Sequence, residues 1–193
     1  GVGTPANFSL TNLADEPATI APTSGTPQAT TVNSPFPQRL AVVVLDTFNN
    51  PVPNRQVTFN VPNSGPSGTF AGGVNIALTD NAGIAQAPVL TANSSAGQWT
   101  ATATVVGLST PAAFLLTNNP GLPRSILATS GTPQTAQVNT TFPDTMKALV
   151  RDSSGNPVPD VIVTFLAPSS GPSGGFNGGN QVFTGPNGVA VAP

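Results

Sequence analysis

Residues 50–73 read NPVPNRQVTFNVPNSGPSGTFAGG, and residues 156–179, displaced by 106 positions, read NPVPDVIVTFLAPSSGPSGGFNGG. Each copy opens on prolines, which cannot continue a helix or a hydrogen-bonded ladder. A short V-T-F alternation follows, with apolar residues on one side and a polar residue on the other, the pattern of a strand buried on one face. Gly, Pro and Ser then close the segment as turn punctuation. The stretch predicts a strand framed by loops, and the chain carries it twice.

The repetition extends outward in both directions. TPANFSLTN at 4–12 returns as TPAAFLLTN at 110–118, and TSGTPQATTVNSPFP from Thr23 returns from Thr129 as TSGTPQTAQVNTTFP. After one deletion, TDNAGIAQAP (79–88) lies opposite TGPNGVAVAP (184–193). A period of about 100 residues suits a β-sandwich domain and exceeds the roughly 20–50 of a solenoid or propeller unit. Residues 1–16 therefore read as the final strand of a preceding repeat plus linker, and 17–118 as a complete Ig-like repeat. Residues 119–193 read as a second repeat truncated at its C-terminal end, and the whole as a mature, soluble slice of a longer array.

Apolar alternation between punctuation places strands near 18–32 (broken by SGTP), 39–46, 55–62, 74–79, 84–91, 98–106 and 111–117. The expected fold class is all-β, with tandem immunoglobulin-like sandwiches of about seven strands each. Comparing copies sets the buried face, because Lys147 and Arg151 stand where the first copy has Ala41 and Leu45, and charge belongs in water. Leu40, Val42 and Val44, with Met146, Ala148 and Val150, then face inward. So do Val57, Phe59 and Val61, with Val163, Phe165 and Ala167. Trp99, Ala101, Ala103 and Val105 point to the core with Phe8, Leu10, Phe114 and Leu116, while Thr100, Thr102 and Thr104 point outward. Phe70 and Phe176 are expected to plug the S-G-P-S-G-x-F loops, which lack the lysine and following helix of a phosphate cradle.

Composition removes most chemistry. The chain has 193 residues, five basic and seven acidic side chains, a net charge of −2, and no His, Cys or Tyr. That excludes disulfides, thiol chemistry, zinc sites of ordinary type and a histidine triad. It also removes the electrostatic case for nucleic acid or an anionic membrane, and no apolar run is long enough for a membrane helix. Asp46 and Asp152 recur in both copies, each opening a turn, TFNNPVPN or SSGNPVPD. An aspartate there accepts backbone N–H bonds from two residues on, and Asn49 or Gly155 can adopt positive φ. A calcium site using Asp46 and Asn50, or Asp152 and Asp160, is the alternative, set against the six to eight oxygens that calcium wants. Lys147, the single lysine, faces outward and away from any isopeptide partner, and no catalytic, cofactor or metal residues are assigned. Sequons stand at Asn7, Asn93 and Asn139.

The order D-x-x-x-N-P-V-P, V-T-F, S-G-P-S-G-x-F, T-D-x-x-G-x-A and A-G-x-W-T-A-T-A resembles bacterial immunoglobulin-like domains of group one, the invasin and intimin type. The resemblance covers the whole chain and rests on the order and spacing of motifs that are individually weak. It implies an extracellular, cell-surface protein in which such repeats form a stalk. It also implies that neighbouring Ig-like repeats are the partners, with no cofactor and no enzyme activity. The linker NNPGLPRS (118–125), with two prolines, is expected to limit bending. The alternative is a subunit of an extracellular filament, assembled head to tail by β-strand donation from residues 1–12.

Overall fold

The computed structural model describes residues 3–193. Among the described residues it is built from strands, with no α-helix and one short 3-10 turn, Ala71–Gly73. The strands in the region of the first copy are β1 (Thr19–Ser24), β2 (Gln28–Thr31), β3 (Ala41–Leu45), β4 (Gln56–Asn60), β5 (Gly68–Phe70), β6 (Ile76–Leu78), β7 (Ile84–Gln86), β8 (Leu90–Ala92), β9 (Gly97–Val105) and β10 (Ala112–Asn119). Those in the region of the second are β11 (Ser125–Ser130), β12 (Lys147–Arg151), β13 (Ile162–Thr164), β14 (Gln181–Phe183) and β15 (Val189–Val191).

Two sheets enclose the larger core: β1-β3-β7, and β2-β10-β9-β4-β6, with β5-β8 as a small third ladder. The expected strands 18–32 and 84–91 each divide in two. The first changes sheets at SGTP, so that β1 pairs antiparallel with β3 and β2 pairs parallel with β10. Gly25 makes the crossing possible. Its φ is +87°, and a Cβ there would meet the Arg39 carbonyl oxygen at 2.8 Å and Leu40 Cδ2 at 2.9 Å. Gly131 repeats the backbone conformation and the close approach in the second copy, with φ +76° and Met146 Cα at 2.7 Å from the added carbon, although among the described residues no counterpart of β2 follows it. The strand β5, expected as loop, forms because residues 68–70 run beside β8 and exchange ladder bonds with it.

The inward set of the first copy holds. Leu40, Val42, Val44, Val57, Phe59, Ala101, Ala103, Phe114 and Leu116 are fully buried, with Trp99 and Val105 nearly so and Val61 half-buried. Small and large side chains alternate across the ladder: Phe59 lies opposite Ala103 and Phe114 opposite Ala101. The alanines leave room for ring contacts between Phe59 and Phe114 at 6.3 Å and between Phe59 and Phe70 at 6.2 Å. Phe36 meets Trp99 edge-on at 6.0 Å, the arrangement that ring quadrupoles favour. Phe70 is the plug the loop motif promises.

Residues 4–12 correct one expectation. No strand forms over 3–18, and Phe8 and Leu10 are 83% and 89% exposed. Residues 1 and 2, the start of the segment read as the end of a preceding repeat, lie outside the described residues. Its counterpart, β10, is held between β9 and β2, whereas 4–12 has no ladder partner, and an unpaired strand has nothing to bond its backbone to.

In the second copy, β11-β12-β15 and β13-β14 surround a smaller core of Ala148, Val150, Val158, Val163 and Ala190. Phe165 packs partly against it and meets Phe176 at 6.0 Å, but Ala167 is exposed, against expectation. Phe176 is only half-buried for the same reason. In the first copy the edge of β4 is covered by β9, and no equivalent strand lies on β13.

Phe59→Ala and Trp99→Ala are each expected to cost about 3–5 kcal/mol, the range for truncating a buried aromatic, and Thr102→Ala no more than about 0.5 kcal/mol. Denaturant melts measure all three. A threonine as costly as the tryptophan would place the register of β9 one residue off.

Candidate functional site

The turn after β3 opens on Asp46, which is 2% exposed. Its Oδ1 accepts N–H bonds from Phe48 (2.9 Å) and Asn50 (2.8 Å), and Asn49 takes φ +64°. Sequence reasoning anticipates this much. The other oxygen does something it does not: Oδ2 accepts the Asn50 amide at 3.0 Å and the backbone N–H of Asp15 at 3.1 Å. Asp46 therefore ties the segment leading into β1 to the turn between β3 and β4.

Asp152 repeats every contact. Its Oδ1 takes Ser154 N–H (2.9 Å) and Asn156 N–H (2.8 Å), and its Oδ2 takes the Asn156 amide (2.9 Å) and Gly121 N–H (2.8 Å). Gly121 lies in the proline-containing linker, which is also held where Arg124 N–H meets the Arg151 carbonyl at 2.7 Å. The clamp thus fastens the linker by its middle. A second buried side chain completes the turn: Thr79 donates to the Val52 carbonyl at 2.7 Å and accepts from Arg55 N–H at 2.8 Å. Thr184 does the same for Val158 and Val161. Thr79 stands in TDNAG and Thr184 in the equivalent TGPNG, but their partners lie 24 and 27 residues away in the first copy, a separation that local spacing does not reveal.

A polar chain crosses from the first core to this turn. Trp99 Nε1–H donates to Asn118 Oδ1 at 2.9 Å. Asn118, 1% exposed, directs its amide to the carbonyls of Ser67 and Ser95 and to Asn93 Oδ1. Asn93 in turn accepts Ser67 and Ser95 N–H and donates to the Gly65 carbonyl. These bonds tie the loop at 93–97 to Asn118 and to residues 65–67, and Asn156 grips it: Asn156 Nδ2 donates to the Ser94 carbonyl at 2.8 Å, and Asn156 Oδ1 accepts Ala96 N–H at 3.0 Å. One continuous set of bonds runs Trp99, Asn118, loop 93–97, Asn156, Asp152, Gly121.

These contacts bear on the remaining sequence candidates. Both oxygens of Asp46 and of Asp152, the carboxylates considered for calcium, are engaged by N–H donors. Asp160 is exposed and spends its own N–H on the Thr184 carbonyl, apart from Asp152. Among the described residues no group of three or more His, Cys, Asp or Glu could hold a metal ion. Lys147 is exposed, as expected. The sequon at Asn93 is spent on the loop network, and a glycan on its Nδ2 would displace the bond to Gly65.

Burial alone raises the Asp46 pKa. The bonds from the Asn50 amide and from the N–H groups of Asp15, Asn50 and Phe48 outweigh it and hold the carboxyl at about 2, against an ordinary 3.8. Asp152 is lowered by the equivalent set, again against its desolvation.

No family model matches the chain, and no curated protein matches it. Solved structures do. The adhesin FdeC of Escherichia coli is 21% identical, covering 93% of this chain and 56% of that one at a TM-score of 0.48. InvD of Yersinia pseudotuberculosis is 12% identical, covering 89% and 53% at 0.51. Invasin, described as a bacterial integrin-binding protein, is 18% identical, covering 91% and 33% at 0.43. The chain spans about half the length of the first two of these structures. The InvD likeness bears on the fold alone: this chain is an all-β protein with an immunoglobulin-like sandwich fold.

A carboxyl depressed by folding stabilises the fold while ionised, so the Asp46 contribution is complete above 3.8 and drains away as the pH falls toward about 2. Thermal melts from neutral pH down to this window should show that loss, and the loss should shrink in Asp46→Asn. Asn118→Ala should destabilise by about 1–3 kcal/mol, since it strands the indole N–H and buried carbonyls, and chelator should leave the melting midpoint of the parent chain unchanged.

Proposed function

We propose that this chain is a non-enzymatic stalk segment, one stretch of a tandem array of Ig-like repeats in a large extracellular protein of the bacterial cell surface. The observation that carries the reading is the linker clamp: Asp152 accepts Gly121 N–H while Asn156 grips the loop before β9. A flexible tether needs no such contacts. A spacer that keeps a distal domain at a set distance does, because each joint that bends freely shortens the average reach. In this reading the units are 17–118 and 119–193, residues 1–16 belong with a preceding unit, and neighbouring repeats are the partners. The low charge suits it as well, since adjacent copies do not repel.

A second reading has one observation in its favour. Phe8 and Leu10, at the positions of buried Phe114 and Leu116, are exposed, and donation of residues 1–12 to another molecule would cover them and make the chain a filament subunit. Against it, β10 depends on β9 for its antiparallel partner, and the second copy has no counterpart of β9 to receive a donated strand.

Small-angle scattering of the full chain tests the stalk. Two units in line, at about 35–40 Å each from strand rise and loops, give a maximum dimension of about 70–80 Å, and a radius of gyration well above the roughly 16 Å of a single compact globule of this length. A globule-sized particle overturns the reading. So does ordered polymer, seen by light scattering, that vanishes when residues 1–12 are deleted.

A further inference from the structure

Asn156 holds the first unit through main-chain atoms alone, the Ser94 carbonyl and the Ala96 N–H. Its primary amide behaves as one more peptide group, offering a donor and an acceptor side by side as a neighbouring strand would. Which side chains occupy the gripped loop is therefore immaterial, provided its backbone follows the same course.

Asn50 is the same device without its load. Its backbone N–H and its amide bind Asp46 as Asn156 binds Asp152, and Asp15 N–H occupies the place of Gly121 N–H. Ala18 N–H meets the Leu45 carbonyl at 2.8 Å, matching Arg124 and Arg151. Among the described residues the Asn50 side chain makes no bond beyond the one to Asp46, and it is exposed. Its Oδ1 and second N–H are thus free where those of Asn156 are engaged. Ahead of it, Asn12 occupies the position that Asn118 holds before the other joint.

We propose that Asn50 is a docking socket for the backbone of a preceding copy of the same repeat, taking the carbonyl and N–H of a loop built like Ser94–Ala96. The inference rests on the tandem reading above and adds to it the residue that seats each unit on the one before. Because the grip reads backbone, successive repeats of differing sequence fit one another in any order.

The test places an extra copy of residues 17–118 directly ahead of residues 13–193, so that its Asn118 takes the place of Asn12 and the native linker follows. The chain has no cysteine, so spin-label pairs can be introduced cleanly. Thr100→Cys in the added copy with Gln56→Cys in the next spans the new joint. Thr100→Cys with Ile162→Cys, the equivalent positions, spans the native one. All of these positions are exposed. Both pairs should give narrow distance distributions with the same centre. Asn50→Ala in the next copy should widen the new joint toward the spread of a free five-residue linker, on the order of 10 Å, and leave the native joint untouched. Asn156→Ala should do the reverse, and Ser94→Ala should change neither. A native joint that is narrow beside a new joint indifferent to Asn50→Ala, whether broad or narrow, overturns the socket and spares the stalk. Two broad joints, both indifferent to Asn156→Ala, overturn the stalk and the socket together.

Discussion

A buried carboxylate that accepts four N–H bonds is the constraint on which the two ends of each repeat depend. Asp46 and Asp152 are sequestered from water, an expensive place for a charge, and they stay ionised because every lone-pair direction is met by a donor. The donors come from two places. Three belong to the turn itself, and one belongs to the segment that enters the repeat. The charge therefore shapes the turn and anchors the linker in a single act, and removing it releases both. The prolines of N-P-V-P suit this arrangement, since the segment must leave the ladder with its amides free for other partners or absent.

The second constraint couples this polar joint to the apolar core. Trp99 supplies a large buried surface within the sandwich, but its indole N–H needs a partner there. Asn118, near the end of β10, provides it and then distributes its own donors over Ser67 and loop 93–97. The orientation of that loop is thereby set by the packing of the tryptophan. Asn156 reads the loop, and Asp152 holds Asn156. Core packing and the contact between the two copies are in this way linked by one set of hydrogen bonds.

Much of the sandwich was legible from alternation and from the internal repeat. Comparing Ala41 with Lys147 was enough to choose the core face of β3, and the orientation of β4 and β9 followed, but the opposite face is wet only in the second copy: Lys147 and Arg151 are exposed, whereas Ala41 is buried and Leu45 half-buried. The failures have physical causes. Residues 4–12 carry the alternation of β10 yet form no strand, because pattern states which face a strand would bury and says nothing about whether a partner is present. Ala167 and Phe176 are exposed or half-exposed for the same reason. The splitting of 18–32 into two strands was marked by SGTP, but that the halves join different sheets, one of them in a parallel pair, is a matter of three-dimensional packing around Gly25.

What the sequence by itself determined is local or comparative: the all-β class, the period, the inward faces, the turn residues and the absence of side chains for most chemistry. Each of these depends on neighbours along the chain or on positions equated by the repeat. The joint was decided only by the tertiary structure. Asp15 and Asp46 are 31 residues apart, Trp99 and Asn118 are 19 apart, and Asn156 and Ser94 are 62 apart. Asn, Asp, Thr and backbone amides occur throughout a chain of this composition and carry no mark of their partners. A hydrogen bond is specific in distance and direction but not in residue type, so which of many equivalent donors meets which acceptor is settled only when the packed core brings them within 3 Å of one another.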